Sequence, residues 1–147
     1  MNADLIAKLQ TMRPQIRRRW ETLLRIERLE TALANPDTLV FMFDRTLDSV
    51  LSALPGRVVR SAGPRPVCHS SRNPMRVYFT ALEQALLEAL ILAQSAQPEP
   101  DSGSHQDAVA ERTAAATELR AALRRIARRE IRTFDQICQP PTKARRV

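Results

Sequence analysis

The sequence predicts an all-α protein, a single-domain bundle of four to five helices built around a central apolar helix at about 74–94. Three observations carry this. First, the pair Asn-Pro occurs twice, as Asn35-Pro36 and Asn73-Pro74, each time directly before a long apolar-periodic run. Asparagine caps a helix because its side-chain oxygen accepts an orphan N–H of the first turn. Proline suits the following position, where no N–H is needed and φ is already helical. Second, the chain is 44% hydrophobic but only 4% aromatic, with three glycines in 147 residues. Ala and Leu therefore supply the apolar mass, which favours helices over a β-sandwich. Third, the apolar residues of each long segment recur at helical spacing.

The first segment places Leu5, Leu9, Met12, Ile16, Trp20 and Leu23 on one stripe, with Arg17, Arg18, Arg19 and Glu21 mostly off it. Pro14 interrupts the stripe, so a kink or a short helix ending near Met12 is expected, with a second helix from Pro14 to about Leu33. Pro36 to Leu54 reads as one helix, its buried stripe Val40, Phe43, Leu47, Val50, Leu51 and Leu54, with Asp44 and Asp48 opposite. Phe41 and Met42 fall outside that stripe and are candidates for contact with a second element or a partner chain. Pro74 to about Gln94 is apolar on most faces, with a narrow polar arc of Arg76, Thr80, Glu83, Gln84 and Glu88. A helix of that kind belongs in the middle of a bundle or in a dimer interface. The last helix starts after Ser104 and runs to about Gln139. Its apolar arc is Leu119, Leu123, Ile126, Ile131, Phe134 and Ile137, and Arg124, Arg125, Arg128, Arg129 and Arg132 cover its back.

The domain so defined spans 1–139, with loops at about 55–73 and 97–104 and a disordered basic tail at 140–147 after Pro140. The start, MNADLIAKLQ, lacks the charged and apolar regions of a signal peptide. The most apolar stretch, Ala81 to Ala93, reads as too short to span a bilayer. Cys68 and Cys138 match no metal or redox spacing. No membrane partner is expected, and a cytoplasmic protein with reduced thiols follows.

Net charge is +7, from 21 Arg and 2 Lys against 16 acids, and it is segregated. Residues 55–76 hold five basic groups and no acid, and 77–110 hold five acids and no basic group. Either the acidic segment packs near the basic loop or last helix, or a basic surface meets an anionic partner. Arg57, Arg60, Arg65, Arg72 and Arg76, leading into a helix N-terminus, have the guanidinium forks and backbone donors of an anion site. A solvated loop enriched in Arg by genome composition is the competing reading. Nucleic-acid binding through this loop and the last helix is the alternative function; without interleaved aromatics or a helix-turn-helix pattern it is not the favoured one.

Enzymatic signals are sparse. His69 and His105 lie in or beside loops, so the inward Glu-x-x-His set of a di-iron bundle and a mid-helix haem ligand are missing. Three glycines build no phosphate loop. Cys68, beside His69 and near Arg65 and Arg72, reads either as a thiolate-prone cysteine or as an inert loop thiol. No cofactor or metal is expected, and no catalytic residue is assigned. One position breaks the pattern: Glu130 lies in the last helix's apolar arc, where a charge must be paired or partly solvated. Arg17 or Arg25 of the first segment is the expected partner.

The segment RPQIRRRWETLL, residues 13–24, followed by NPDTLVFMFDRTLDSVLSAL, residues 35–54, resembles the opening of the N-terminal regulatory domains of RsbR-type stressosome proteins and related bacterial sensor kinases. In those domains a Trp-bearing apolar-periodic helix precedes a helix of the form L-x-x-x-L-D-x-x-L. The resemblance covers about a third of the chain and implies a helical, globin-like, haem-free dimerising domain that senses or transmits a signal. No STAS or kinase segment follows these residues in the chain. The function expected is therefore a non-enzymatic sensory or regulatory module acting through protein–protein contact. Its partners would be a second copy, through the central helix or Phe41 and Met42, and a further protein.

Overall fold

The computed structural model describes residues 1–26, 36–54, 73–96 and 105–138. Among them every element is helical and none is a strand: α1 (Ala3–Thr11), α2 (Arg13–Ile26), α3 (Pro36–Leu39), a 3₁₀ turn (Val40–Met42), α4 (Phe43–Ala53), α5 (Pro74–Ser95) and α6 (His105–Cys138). Counting α3, the tight turn and α4 as one broken rod gives five helices, the all-α bundle read from the sequence.

Pro14 acts as expected. Asn2 caps α1 by accepting from the Leu5 N–H at 2.8 Å, and α1 ends at Thr11. The carbonyl of Met12 then accepts from Gln15 and Ile16 to start α2. Pro14 thus sits in a first turn, where its missing N–H costs nothing. The expected continuation of α2 toward Leu33 falls outside the described residues.

The run from Pro36 is not one even helix. It tightens into a 3₁₀ turn at Val40-Phe41-Met42 before α4 begins. Two of these residues are β-branched or aromatic and crowd the preceding turn of an α-helix, which weakens it locally. Val40 is in consequence only partly buried, whereas Leu39, Phe43, Leu47, Val50, Leu51 and Leu54 are in the core.

α5 is the centre. It packs against α1, α2 and α6 and buries eleven of its residues. Asn73 caps it, accepting from the Met75 N–H at 2.9 Å. The Asn73 amide also donates to Asp135 of α6 at 2.8 Å, so one side chain both starts the central helix and pins the last one. With 22 residues, α5 has the length and apolarity to cross a bilayer, and half of its most apolar stretch is buried within the bundle. The stretch 81–93, expected to be too short to span a bilayer, is thus part of a longer helix that suffices by length and composition.

Where α2, α4 and α5 meet, four of the chain's six aromatic side chains form one cluster. Trp20 stacks on Phe43 with ring centres 4.0 Å apart and planes 13° from parallel. Tyr78 lies 4.6 Å from Trp20, and Phe79 meets Tyr78 edge-on at 5.2 Å. The Trp20 indole N–H donates to the Tyr78 carbonyl at 3.0 Å, and Thr46 and the Tyr78 hydroxyl are hydrogen-bonded at 2.9 Å. Each buried polar tip therefore has a partner, which such amphipathic rings require.

Ion pairs fix the register of α2 against the α3–α4 rod. Arg13 meets Asp48 at 2.6 Å, Arg17 meets Asp44 at 2.7 Å and Arg25 meets Asp37 at 2.9 Å. Ascending numbers on one side face descending numbers on the other, the signature of an antiparallel pair. Asp44 and Asp48, opposite the apolar stripe as expected, remain exposed to solvent while pairing with α2.

Candidate functional site

Of the five arginines singled out for an anion site, Arg57, Arg60, Arg65 and Arg72 fall outside the described residues, as do Cys68 and His69. Arg76 is exposed in the first turn of α5. At that helix end the Met75 N–H is already held by Asn73, and the nearby carboxylate belongs to Asp135.

Among the described residues, two pairs of sequence-adjacent large apolar side chains face solvent. Phe41 is 88% exposed and Met42 37% exposed, because the 3₁₀ turn lifts them off the core while Leu39 and Phe43 point inward. The second patch lies on α5. Ile91 and Leu92 stand side by side, each 60% exposed, on a helix otherwise deeply packed. A groove flanks each. On the α6 side, Leu87, Leu90, Ile91 and Ala116 with Arg112 and Arg120 line an open groove of ≈ 460 Å³. On the other side, Met12, Ile16, Ala85 and Leu92 line a smaller one of ≈ 190 Å³, rimmed by Arg19 and Glu88. The rims are held by ion pairs, Arg120 to Glu83 at 3.1 Å and Arg19 to Glu88 at 2.7 Å. The hydrogen bond from Arg19 holds the Glu88 carboxyl below its ordinary range. The α5 part of the acidic segment thus pairs with both α6 and α2.

Glu130 is half-buried, and its partner is its neighbour Arg129 at 3.0 Å rather than Arg17 or Arg25. Those two are already engaged by Asp44 and by Glu21 with Asp37. The charge is tolerated because α6 leaves the core at this level. Leu119 and Leu123 are fully buried, Ile126, Ile131 and Phe134 only partly so, and Ile137 is 76% exposed, off the apolar arc expected for it. Glu130 still acts inward: after burial itself, which is the larger cause, its charge helps push the Tyr78 hydroxyl well above the ordinary tyrosine range, against the opposing hydrogen bond from Thr46.

The back of α6 is lined with arginine. Arg124, Arg125, Arg128, Arg129 and Arg132 are all exposed, and at 100° per residue they span about 140° of arc. Only Arg129 has an ion pair among the described residues. Among those residues no group of three or more His, Cys, Asp or Glu side chains is placed to hold a metal ion. No family model, curated protein or solved structure matches the chain.

The sequence named the apolar character of α5 and the arginines of α6. It did not single out Ile91 and Leu92, because an all-round apolar helix does not declare which of its faces the neighbours leave uncovered.

Proposed function

We propose that the chain is a non-enzymatic regulatory module of the cytoplasm that works through protein–protein contact, first with a second copy of itself. The observation that supports this best is the outer face of α5, where Ile91 and Leu92 form a ridge between two apolar grooves. A ridge and a groove on one face are self-complementary: about a two-fold axis, the ridge of each copy fills the groove of the other. Fully burying such a side chain is worth about 1.5–3 kcal/mol. Four of them in a two-fold contact stand against an association cost of roughly 4–15 kcal/mol. The balance favours a weak, adjustable dimer over an obligate one, which suits a regulatory part. Phe41 and Met42 remain as a separate patch for a different protein partner, and the resemblance of residues 13–54 to dimerising regulatory domains points the same way.

Sedimentation equilibrium tests the reading. The wild-type chain is expected to dimerise at tens of micromolar, the range where a contact of this size persists, and Ile91→Glu to be monomeric there with an unchanged melting temperature. A monomeric wild type at that concentration overturns it.

A further inference from the structure

We infer that the back of α6 is a docking surface for the phosphate backbone of double-stranded nucleic acid, read without regard to sequence. Arg124, Arg125, Arg128 and Arg132 are exposed and have no ion pair among the described residues. They follow one another over eight residues, about 12 Å of a helix with 1.5 Å rise per residue. Arg124, Arg128 and Arg132 repeat at i, i+4, so their like charges work against the helix that carries them. The one acid placed to relieve Arg132 from its own helix, Asp135, is held instead by Asn73. Among the described residues no carboxylate offsets this concentration of positive charge.

The chemistry of the stripe selects among anionic partners. Guanidinium forks match phosphate oxygens two at a time, and a duplex offers a charge about every 1.7 Å along its axis. No aromatic side chain stands on the stripe to stack an unpaired base, so a single strand gains nothing extra there. A membrane surface holds a basic helix by taking up its apolar face; here that face, through Leu119, Ala122 and Leu123, is buried in the bundle. An acidic protein would be held chiefly by buried aromatic or large apolar anchors, and the apolar residues between the arginines, Ile126, Ala127 and Ile131, are partly buried against the core.

The test is fluorescence anisotropy of a labelled random-sequence 20-bp DNA duplex titrated with the full chain at 50 and 200 mM salt. Release of counterions by four contacts gives a slope of roughly −3.6 in log affinity against log salt, or about a hundredfold weakening over that range. The variant Arg124→Gln/Arg125→Gln/Arg128→Gln/Arg132→Gln is expected to lose most of that slope and to retain wild-type circular dichroism. A variant of equal charge, Lys8→Gln/Arg18→Gln/Arg45→Gln/Arg112→Gln, is expected to keep it. No binding by the wild type up to 100 µM at 50 mM salt overturns the proposal. So does equal loss in both variants, which would make binding a matter of net charge. Retention of the slope by the α6 variant also overturns it and moves the contact to the basic residues outside α6. Tighter binding to phosphatidylserine vesicles than to duplex at equal salt would overturn the choice of partner.

Discussion

Along α2, Arg13, Arg17, Arg19 and Arg25 each meet a carboxylate at 2.6–2.9 Å. Along the back of α6, Arg124, Arg125, Arg128 and Arg132 meet none among the described residues. The residue type is the same; Arg13 and Arg17 are partly covered while the α6 arginines are exposed, and the difference is what the neighbouring elements deliver. Helix α2 lies between two helices that bring acids to its flanks, Asp44 and Asp48 from α4 and Glu88 from α5. Among the described residues no element brings an acid to the back of α6. A sequence rich in arginine therefore yields two kinds of surface, one whose arginines pair with neighbouring helices and one whose arginines, Arg129 apart, pair with no carboxylate among the described residues. Only the packing separates them.

The contrast extends to the apolar parts, and the largest expected effect lies there. Trp20→Ala removes a fully buried ring, its stack on Phe43 and its hydrogen bond to Tyr78. A cost of about 3–5 kcal/mol is expected, read as a steep fall in melting temperature. Phe134→Ala, at the half-covered end of α6, should cost well under half as much. Equal losses would mean that α6 is as firmly seated at its end as α2 is at the aromatic cluster.

Next in size is the pair Thr46–Tyr78. Thr46→Val keeps the shape and strands the buried phenol, at about 1–3 kcal/mol. The phenol also gives a pH test. Its folded-state pKa lies above the unfolded value of about 10, so the stability it contributes is complete below pH 10 and is lost as pH rises beyond it. Urea midpoints taken from pH 9 to 11.5 should fall more steeply for the wild type than for Tyr78→Phe. Parallel slopes would mean that the hydroxyl ionises as freely in the bundle as in the unfolded chain.

Much of this architecture was legible in the sequence, and the failures have physical causes. Asn73-Pro74 announced the start of α5 because capping is local chemistry, and Pro14 announced the break after α1 for the same reason. The 3₁₀ turn at Val40–Met42 was not foreseen, since period alone does not separate a tight turn from the helix it interrupts. The partner of Glu130 was misassigned because pairing depends on which arginines are already engaged, and Arg17 and Arg25 are held by Asp44, Glu21 and Asp37. The ridge of Ile91 and Leu92 was invisible for a related reason: exposure is decided by which faces of α5 the neighbouring helices cover.

Smaller effects sharpen the comparison between the two arginine sets. Arg17→Ala should cost about 0.2–1 kcal/mol, an effect that shrinks when the melt is repeated at high salt. Arg125→Ala should change stability by less than about 0.5 kcal/mol, in either salt.

The most direct measurement sets the two groups side by side: low-salt thermal melts of one variant with Arg13, Arg17, Arg19 and Arg25 changed to Gln, and another with Arg124, Arg125, Arg128 and Arg132 changed to Gln. The first is expected to melt clearly below the wild type, as the four losses add. The second is expected to melt at the wild-type temperature or slightly above it, because like charges at i, i+4 have been removed. If the α6 variant proved the less stable of the two, its arginines would be structural, and the division between the two kinds of surface would fail.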